Sequence, residues 1–332
     1  MVRLRTLSYA RPVNLWSTAR EDILGPLYDA LTLPMGADLE GPVVATLVRR
    51  RAPRAGRAVL CLPGYNDYIF HEHVADFFVN RGVNFYGLDL RKCGRSCLPQ
   101  QTRHFCSSLD EYFPEIDAAV AIIRADGNDR LLLSGHSTGG LVAALWQSQT
   151  DSRHSADGLF LNSPFLSSGV PVMAQALLNP ILKAVTRRRP TAVAPGSLSP
   201  RYCRSLHIDY GGEWKFEEAW KSTTGTRLRL GWLAAIHDGQ SRVRSGLKIS
   251  VPVLVMCSAR SCNRNASQEE IRRCDAVLNI SSTAKLAMRL GCNVTYVGVN
   301  DAVHDVLLSR KVVREKAFAL MGQWLFSSVW KT

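Results

Sequence analysis

The chain has 332 residues, of which 46% are hydrophobic and 21% are charged. These values are typical of a globular protein with a large buried core, and they exclude a wholly disordered chain. The net charge is +13, but the basic residues are scattered and do not form one stripe, so we expect no nucleic-acid partner. The apolar runs fall short of the ~18 residues of a membrane span, and the N-terminus makes a poor secretory signal. We therefore expect a cytoplasmic protein.

The nine cysteines give no metal-binding pattern. Their number is odd and no two have C-x-x-C spacing; Cys93 and Cys97 come nearest. In a reducing compartment such cysteines are normally free thiols, and zinc sites normally show closer pairs. We therefore expect free thiols and no zinc.

In chain order, short apolar strands alternate with helices over the first half. Strands are predicted over residues 43–49, 58–62, 83–88, 130–133 and 158–161, and helices over 73–81, 112–125 and 141–149. After an interruption the pattern resumes with strands at 252–256 and 294–297 and helices at 281–290 and 312–324. This alternation predicts an α/β protein with a mostly parallel sheet.

The interruption, residues 164–248, is rich in Pro, Gly, Ser and Arg and contains one predicted amphipathic helix, 172–185. We interpret it as an insertion that caps the carboxyl edge of a core formed by 1–163 and 249–332. A separate small domain is the alternative. Residues 163–250 hold 13 Lys/Arg against 5 Asp/Glu. This surplus favours either a solvated basic surface or peripheral contact with an anionic membrane.

The segment LLLSGHSTGG, residues 131–140, predicts a strand, a tight turn and a helix with Ser137 at the turn. This is the layout of a nucleophile elbow. Gly135 and Gly139 would let the strand and the helix approach closely. A serine hydroxyl becomes a strong nucleophile only when a base takes its proton and an acid orients that base.

His304 is the predicted general base. It lies after the last predicted strand, on a loop that would reach the same sheet edge as Ser137. The other seven histidines lie earlier in the chain, and His136 lies inside the elbow itself.

The acid should follow strand 252–256, but the next residues contain no carboxylate. The first carboxylates after that strand are Glu269, Glu270 and Asp275. We favour Asp275 and keep Glu269 and Glu270 as alternatives. Asp301 and Asp305 flank His304 too closely to reach its Nδ1 easily.

Two backbone N–H groups are needed to stabilise an oxyanion. The residue after the nucleophile, Thr138, predicts one of them. The turn after strand 58–62 reads Pro63-Gly64-Tyr65, which predicts Tyr65 as the other.

These segments resemble the α/β-hydrolases of the monoacylglycerol-lipase and lysophospholipase-like group, also labelled serine aminopeptidase-like. The resemblance is carried by four segments: 62–66, 89–96, the elbow 135–140, and Asp275 together with Val303-His304-Asp305. Two features depart from the group. Pro63 stands where the group has a histidine, and Asp275 lies 18 residues beyond its strand (275 minus 257).

The resemblance implies an α/β-hydrolase fold and hydrolysis of a carboxylic ester through an acyl-enzyme, with no cofactor. Apolar and aromatic residues of the insertion favour a lipid ester, either a lysophospholipid or a monoacylglycerol. A proline-type aminopeptidase on the same scaffold is one alternative, although the insertion has few carboxylates to bind an α-amine. A non-catalytic lipid- or partner-binding protein is another. An aspartate nucleophile is excluded because position 137 is serine.

Overall fold

The computed structural model describes residues 15–53, 56–151, 155–168, 182, 184–263 and 265–331. Its main feature is a sheet of nine described strands. They are β1 (Arg20–Asp22), β2 (Gly25–Asp38), β3 (Gly41–Arg50), β4 (Arg57–Leu62), β5 (Asn84–Asp89), β6 (Arg130–His136), β7 (Gly158–Asn162), β10 (Val253–Ser258) and β11 (Val294–Val299). Their order across the sheet is β1-β2-β3-β5-β4-β6-β7-β10-β11. The strands from β5 to β11 in this order run parallel, whereas β1, β2 and β3 are antiparallel at one edge.

The main helices of the core flank both faces of this sheet. They are α1 (Glu72–Val79), α2 (Phe113–Ala125), α3 (Thr138–Gln149), α7 (Ile280–Ala287) and α8 (Lys311–Trp324). Leu131 and Leu133 of β6 pack in one core with residues of α2 and α3, whereas Leu132 packs in a second core with residues of α1 and α8. Both faces of β6 are therefore buried, which explains its continuous apolar sequence. The predicted fold class, a mostly parallel α/β sheet, is confirmed.

Residues 164–248, the insertion, lie between β7 and β10 and contribute no strand to the main sheet in their described part. They contain the two-stranded sheet of β8 (Val193–Leu198) and β9 (Thr226–Arg229) and the helices α4 (Arg201–Leu206) and α5 (Leu230–Ser245). The predicted helix 172–185 falls mostly outside the described residues, although residues 184–188 are helical. A short helix, α6 (Gln268–Ile271), follows β10.

The long antiparallel strand β2 was not predicted from the sequence. It contains Pro26 and Pro34, and proline normally argues against a strand interior. On its outer side β2 pairs only with β1, which spans three residues. Much of β2 therefore lies at the margin of the sheet, where proline is tolerated. Among the described helices, none is long and apolar enough to cross a bilayer.

Candidate active site

Ser137 lies in a sharp turn between β6 and α3. Its φ of 50° and ψ of −116° are unusual for a residue with a side chain, and such a backbone costs about 1–3 kcal/mol. The neighbouring strand β7 holds the turn in place. The Ser137 N–H donates to the Asn162 carbonyl at 3.0 Å, and the Ser137 carbonyl accepts from the Phe165 N–H at 2.9 Å. The strained backbone of Ser137 is thus held by hydrogen bonds to β7 and to the residues that follow it.

Two glycines allow the turn to pack closely. A Cβ at Gly139 would lie 2.3 Å from the Pro63 carbonyl oxygen, and a Cβ at Gly135 would lie 2.5 Å from the Gly139 carbonyl oxygen. These distances leave no room for a methyl group. The close approach predicted for Gly135 and Gly139 is therefore present.

His304 joins Ser137 to Asp275. Its Nε2 lies 3.0 Å from the Ser137 Oγ, and its Nδ1 lies 2.8 Å from the Asp275 Oδ2. An ionised carboxylate only accepts hydrogen bonds, so the proton of a neutral His304 belongs on Nδ1. Nε2 then accepts the hydrogen bond from the serine hydroxyl, as a general base must.

Asp275 reaches this position although it is distant in sequence from the end of β10. The described part of residues 263–273, which we term the excursion, leaves the core and returns beside the point of departure. The two ends of the excursion meet at residues 260–262 and 274–275, which we term the neck. Here the Asp275 N–H donates to the Arg260 carbonyl at 3.0 Å, and the Cys262 N–H donates to the Asp275 carbonyl at 2.7 Å. The acid therefore lies spatially just beyond β10, where the fold requires it.

The alternative acids lie elsewhere. Glu270 accepts a hydrogen bond from the Ser267 N–H at 2.7 Å and closes a capping box on α6. Glu269 forms an exposed ion pair with Arg273 at 3.2 Å. Both glutamates are exposed, whereas the Asp275 residue is 1% exposed. Of the three carboxylates, Asp275 is the one that contacts His304.

The three residues are shielded from solvent. Ser137 is 8% exposed and His304 is 3% exposed. Tyr202 of α4 contributes to this cover, because its ring lies 5.5 Å from that of His304 and its hydroxyl accepts from the Asp305 N–H at 2.8 Å. Electrostatic interactions are stronger in such a dry environment than in water.

The backbone N–H groups of Tyr65 and Thr138 have no hydrogen-bond acceptor among the described residues. Thr138 is the first residue of α3, so its N–H also lies at the positive end of the helix dipole. Gly64 brings the other turn close, since a Cβ there would lie 3.2 Å from the Ser137 Cβ. In the part of the chain that the structure describes, these two N–H groups near the serine are therefore unpaired, as an oxyanion site requires.

Comparison with known proteins places the chain in a family. Residues 53–308, well over half of the chain, match the family model described as Serine aminopeptidase, S33. The chain belongs to this family. No curated protein matches it by sequence.

Several solved structures share the fold of this chain. A monoacylglycerol lipase from Paleococcus ferrophilus superimposes with a TM-score of 0.61 and 17% identity, over 84% of this chain and 98% of the lipase. A soluble variant of the monoglyceride lipase from Saccharomyces cerevisiae, in complex with a substrate analogue, gives a TM-score of 0.62 and 13% identity, over 89% and 94%. Est1E from Butyrivibrio proteoclasticus with bound ferulic acid gives 0.55 and 14%, over 87% and 97%. These likenesses establish the α/β-hydrolase fold.

A buried polar cluster behind the triad was not predicted. Asp305 accepts from the Asn162 amide at 2.6 Å and lies 3.2 Å from the His71 Nε2. Burial raises the pKa of Asp305, but His136, His71 and the Asn162 amide outweigh it and hold this pKa well below its usual value. Burial also lowers the pKa of His136 to about 4, so its ring beside His304 is neutral near pH 7. In the sequence, the adjacency of Asp305 to His304 was the only signal for this cluster.

Asp67, His71 and Asp305 place potential metal-ligand atoms within 4.8 Å of one another. The Lys221 ammonium already lies 2.8 Å from the Asp67 carboxylate and is 3% exposed at its side chain. A buried carboxylate needs a cation or hydrogen bonds, and here an amine of the insertion supplies the charge. The pair therefore links the insertion to the core.

The expectation of free thiols is wrong at one pair of cysteines. Cys262 and Cys274 form a disulfide across the neck, with Cα atoms 5.1 Å apart. The other seven cysteines are free, and Cys93 and Cys97 are not bonded to each other. The error arose because the two partners are 12 residues apart, which is not a local motif, and become neighbours only when the excursion folds back.

Proposed function

We propose that this chain is a serine hydrolase that cleaves carboxylic esters through an acyl-enzyme. The observation that carries the proposal is the continuous hydrogen-bonded chain from the Ser137 Oγ through His304 to the Asp275 carboxylate, at 3.0 and 2.8 Å. Ser137 is the proposed nucleophile, His304 the general base and Asp275 the acid that orients it.

Acylation would begin when the Ser137 Oγ attacks the ester carbonyl and transfers its proton to the His304 Nε2. Asp275 stabilises the imidazolium and holds its Nδ1–H. The carbonyl oxygen becomes an oxyanion, which the N–H groups of Tyr65 and Thr138 bind. His304 then gives the proton to the leaving alkoxide, and the alcohol departs.

Deacylation would repeat these steps with water. His304 takes a proton from the water as it attacks the acyl-serine, and it returns this proton to the Ser137 Oγ when the acid product leaves. In both halves His304 accepts a proton as base and donates it as acid, whereas Ser137 is the nucleophile in acylation and the leaving group in deacylation. The proton given to the alcohol is replaced by one from water. The proposed reaction therefore uses no cofactor.

The proposed substrate class is a lipid ester, such as a monoacylglycerol or lysophospholipid. A small cavity of about 20 Å³ beside the proposed oxyanion site is lined mainly by apolar groups, including Tyr65, Val142 and Trp232. The rings of Tyr65 and Trp232 lie 4.2 Å apart and limit this cavity. Because Trp232 belongs to α5 of the insertion, movement of the insertion would set the length of acyl chain that enters.

Labelling with a fluorophosphonate would test the nucleophile directly. We expect wild type to be labelled and Ser137→Ala to be unlabelled, since the probe reacts with an activated serine. p-Nitrophenyl esters of increasing chain length would then measure acyl preference. Equal labelling of the two proteins, or no turnover of any ester, would contradict the proposal.

Proline amides assayed beside these esters distinguish the aminopeptidase alternative. Two of the insertion carboxylates already have partners: Glu213 binds Arg314 and Glu218 binds Thr223. We therefore expect ester hydrolysis to exceed amide hydrolysis. Faster release of an N-terminal proline than of any ester would favour a peptidase. A well-folded protein that neither labels nor turns over would favour a binding role.

A further inference from the structure

The disulfide lies directly beside the proposed catalytic acid. Cys274 is the residue before Asp275, and Cys262 donates its N–H to the Asp275 carbonyl at 2.7 Å. Asp275 uses its two carboxylate oxygens differently: Oδ2 contacts His304, while Oδ1 accepts from the N–H groups of Val277 and Leu278, both at 2.7 Å. The orientation of the acid thus depends on the backbone on both sides of it.

The excursion is also attached to the insertion. Arg272 donates to the carbonyls of Ser205 at 3.3 Å and Tyr210 at 2.7 Å, and Gln268 donates to the Arg201 carbonyl at 3.3 Å. A movement of the insertion therefore pulls on the excursion. Without a covalent link at the neck, this pull would be opposed by the two backbone hydrogen bonds and by two bonds of the Ser261 hydroxyl, which donates to the Leu278 carbonyl at 2.8 Å and accepts from the Ile280 N–H at 2.9 Å. Each such bond has a net value of only about 0.5–1.5 kcal/mol.

We propose that the Cys262–Cys274 disulfide is a positioning element that fixes Asp275 against His304, and that reduction of this disulfide slows the reaction. This inference rests on the proposed serine-hydrolase function. Because the disulfide joins the two ends of the excursion, a movement within the excursion is not passed on to Asp275. The bond therefore makes activity dependent on the thiol redox state.

The reductant would be a dithiol. One of its thiolates attacks the Cys262 Sγ, the more accessible sulfur because Cys262 is half-buried and Cys274 is fully buried. A mixed disulfide forms at Cys262, and Cys274 leaves as a thiolate that takes up a proton. The second thiolate of the dithiol then releases Cys262 and closes the oxidised, cyclic disulfide of the reagent.

Dithiothreitol treatment of the full chain tests this proposal. After alkylation, mass spectrometry of the peptides containing Cys262 and Cys274 shows whether the bond is open. We expect kcat for a p-nitrophenyl ester to fall at least about tenfold, because a displacement of about 1 Å in a positioned group costs up to about 100-fold. KM should change less than about twofold, and reoxidation should restore kcat.

Variants separate positioning from general stability. Cys262→Ala/Cys274→Ala should lose rate to the same extent as reduced wild type, whereas Cys292→Ala, which removes an exposed free cysteine, should not. In Asp275→Asn, whose residual rate no longer depends on an oriented carboxylate, reduction should have no further effect. The tryptophan and tyrosine bands of the near-ultraviolet circular dichroism spectrum should be unchanged by reduction, although the disulfide's own contribution is lost.

Several results would overturn the inference: full activity of the reduced enzyme or of the double variant, equal sensitivity of Asp275→Asn to reduction, or loss of the aromatic near-ultraviolet bands together with activity. Failure of the proposed function looks different. If fluorophosphonate labels neither the oxidised nor the reduced protein, the hydrolase proposal fails. If it labels both at the same rate, only the role of the disulfide fails.

Discussion

At the scale of single residues, the triad is held by contacts from three separate parts of the chain. Ser137 is fixed by β7, His304 by the loop after β11, and Asp275 by the neck of the excursion. The sequence led to Ser137 and His304 because a glycine-rich turn and a histidine after the last strand are local patterns. It left Asp275 uncertain, because a neck closed by distant residues has no local pattern.

Replacement of the acid separates the three sequence candidates. Asp275→Asn keeps the shape but lets an amide, rather than a carboxylate, face Nδ1, which disfavours the tautomer that accepts the serine proton. We expect kcat to fall by about 10⁴-fold, as in another Ser-His-Asp triad whose acid is changed in this way. Steady-state ester kinetics would measure this. Glu269→Gln and Glu270→Gln serve as matched controls and should remain within about twofold of wild type; a larger loss in either control would contradict the assignment.

Buried histidines make stability depend on pH. Burial lowers the pKa of His104 to about 4 and that of His73 to about 3, both below the ordinary 6.5. Between pH 6.5 and pH 4 the unfolded chain therefore binds protons that the folded chain does not. The free energy of unfolding should fall as pH decreases through this range, by up to about 1.4 kcal/mol per pH unit for each histidine.

Urea unfolding at several pH values would measure this slope. In His104→Asn the slope between pH 4.5 and 6 should decrease by about 1.4 kcal/mol per pH unit, because one titrating group is lost. Asparagine is chosen because position 104 has a φ of 57°, which asparagine tolerates. Identical slopes in the two proteins would show that His104 is protonated in the folded state.

At the scale of elements, the contact between β6, α3 and the turn after β4 determines whether the site forms. The parallel strands were well predicted, because a short apolar run such as residues 131–133, placed between two predicted helices, indicates a strand that is buried on both faces. The antiparallel strands β1 and β2 were not predicted. The prolines of β2 argue against a strand, and β1 is too short to show an alternating pattern of apolar residues. Element boundaries also shifted: β6 continues beyond residue 133 to His136, the residue before the turn at Ser137, because pairing with β7 extends it.

A single methyl group tests the close packing of these elements. In Gly139→Ala the Cβ would meet the Pro63 carbonyl oxygen, so α3 must move away from the turn that carries Tyr65. We expect the free energy of unfolding to fall by about 1–3 kcal/mol and ester hydrolysis to fall with it. Gly56→Ala is the control, because a Cβ there meets no atom within 4 Å. Denaturant unfolding of both variants would decide, and equal stability would contradict the steric argument.

At the scale of the whole molecule, two runs of three arginines that look alike in the sequence differ in the structure. Arg49 binds Asp29 at 2.7 Å and Asp126 at 3.1 Å, and Arg50 binds Asp76 at 2.6 Å, so the first run is largely neutralised by the core. Arg187, Arg188 and Arg189 are exposed on the insertion. Composition alone shows only a surplus of charge, whereas the fold decides which charges face a partner.

Vesicle sedimentation would test whether this exposed run attracts a membrane. We expect stronger binding to vesicles that contain phosphatidylglycerol than to pure phosphatidylcholine, since each well-placed cation contributes about 1 kcal/mol near an anionic surface. Changing Arg187, Arg188 and Arg189 to Gln should weaken this binding at least about tenfold. Arg51→Gln, which changes an exposed arginine of the first run, should have little effect. Binding that is independent of phosphatidylglycerol would contradict peripheral attachment through charge.

The neck has a further consequence for protein engineering. Its two cysteine Cα atoms are 5.1 Å apart, so the chain between them starts and ends at almost the same point. The entropy of closing such a loop grows only slowly with its length, by about 0.6 kcal/mol per doubling. Residues 263–273 are thus a natural place to graft a foreign peptide or a small binding domain. Such a graft would sit next to the proposed active centre without altering the length of any strand of the main sheet.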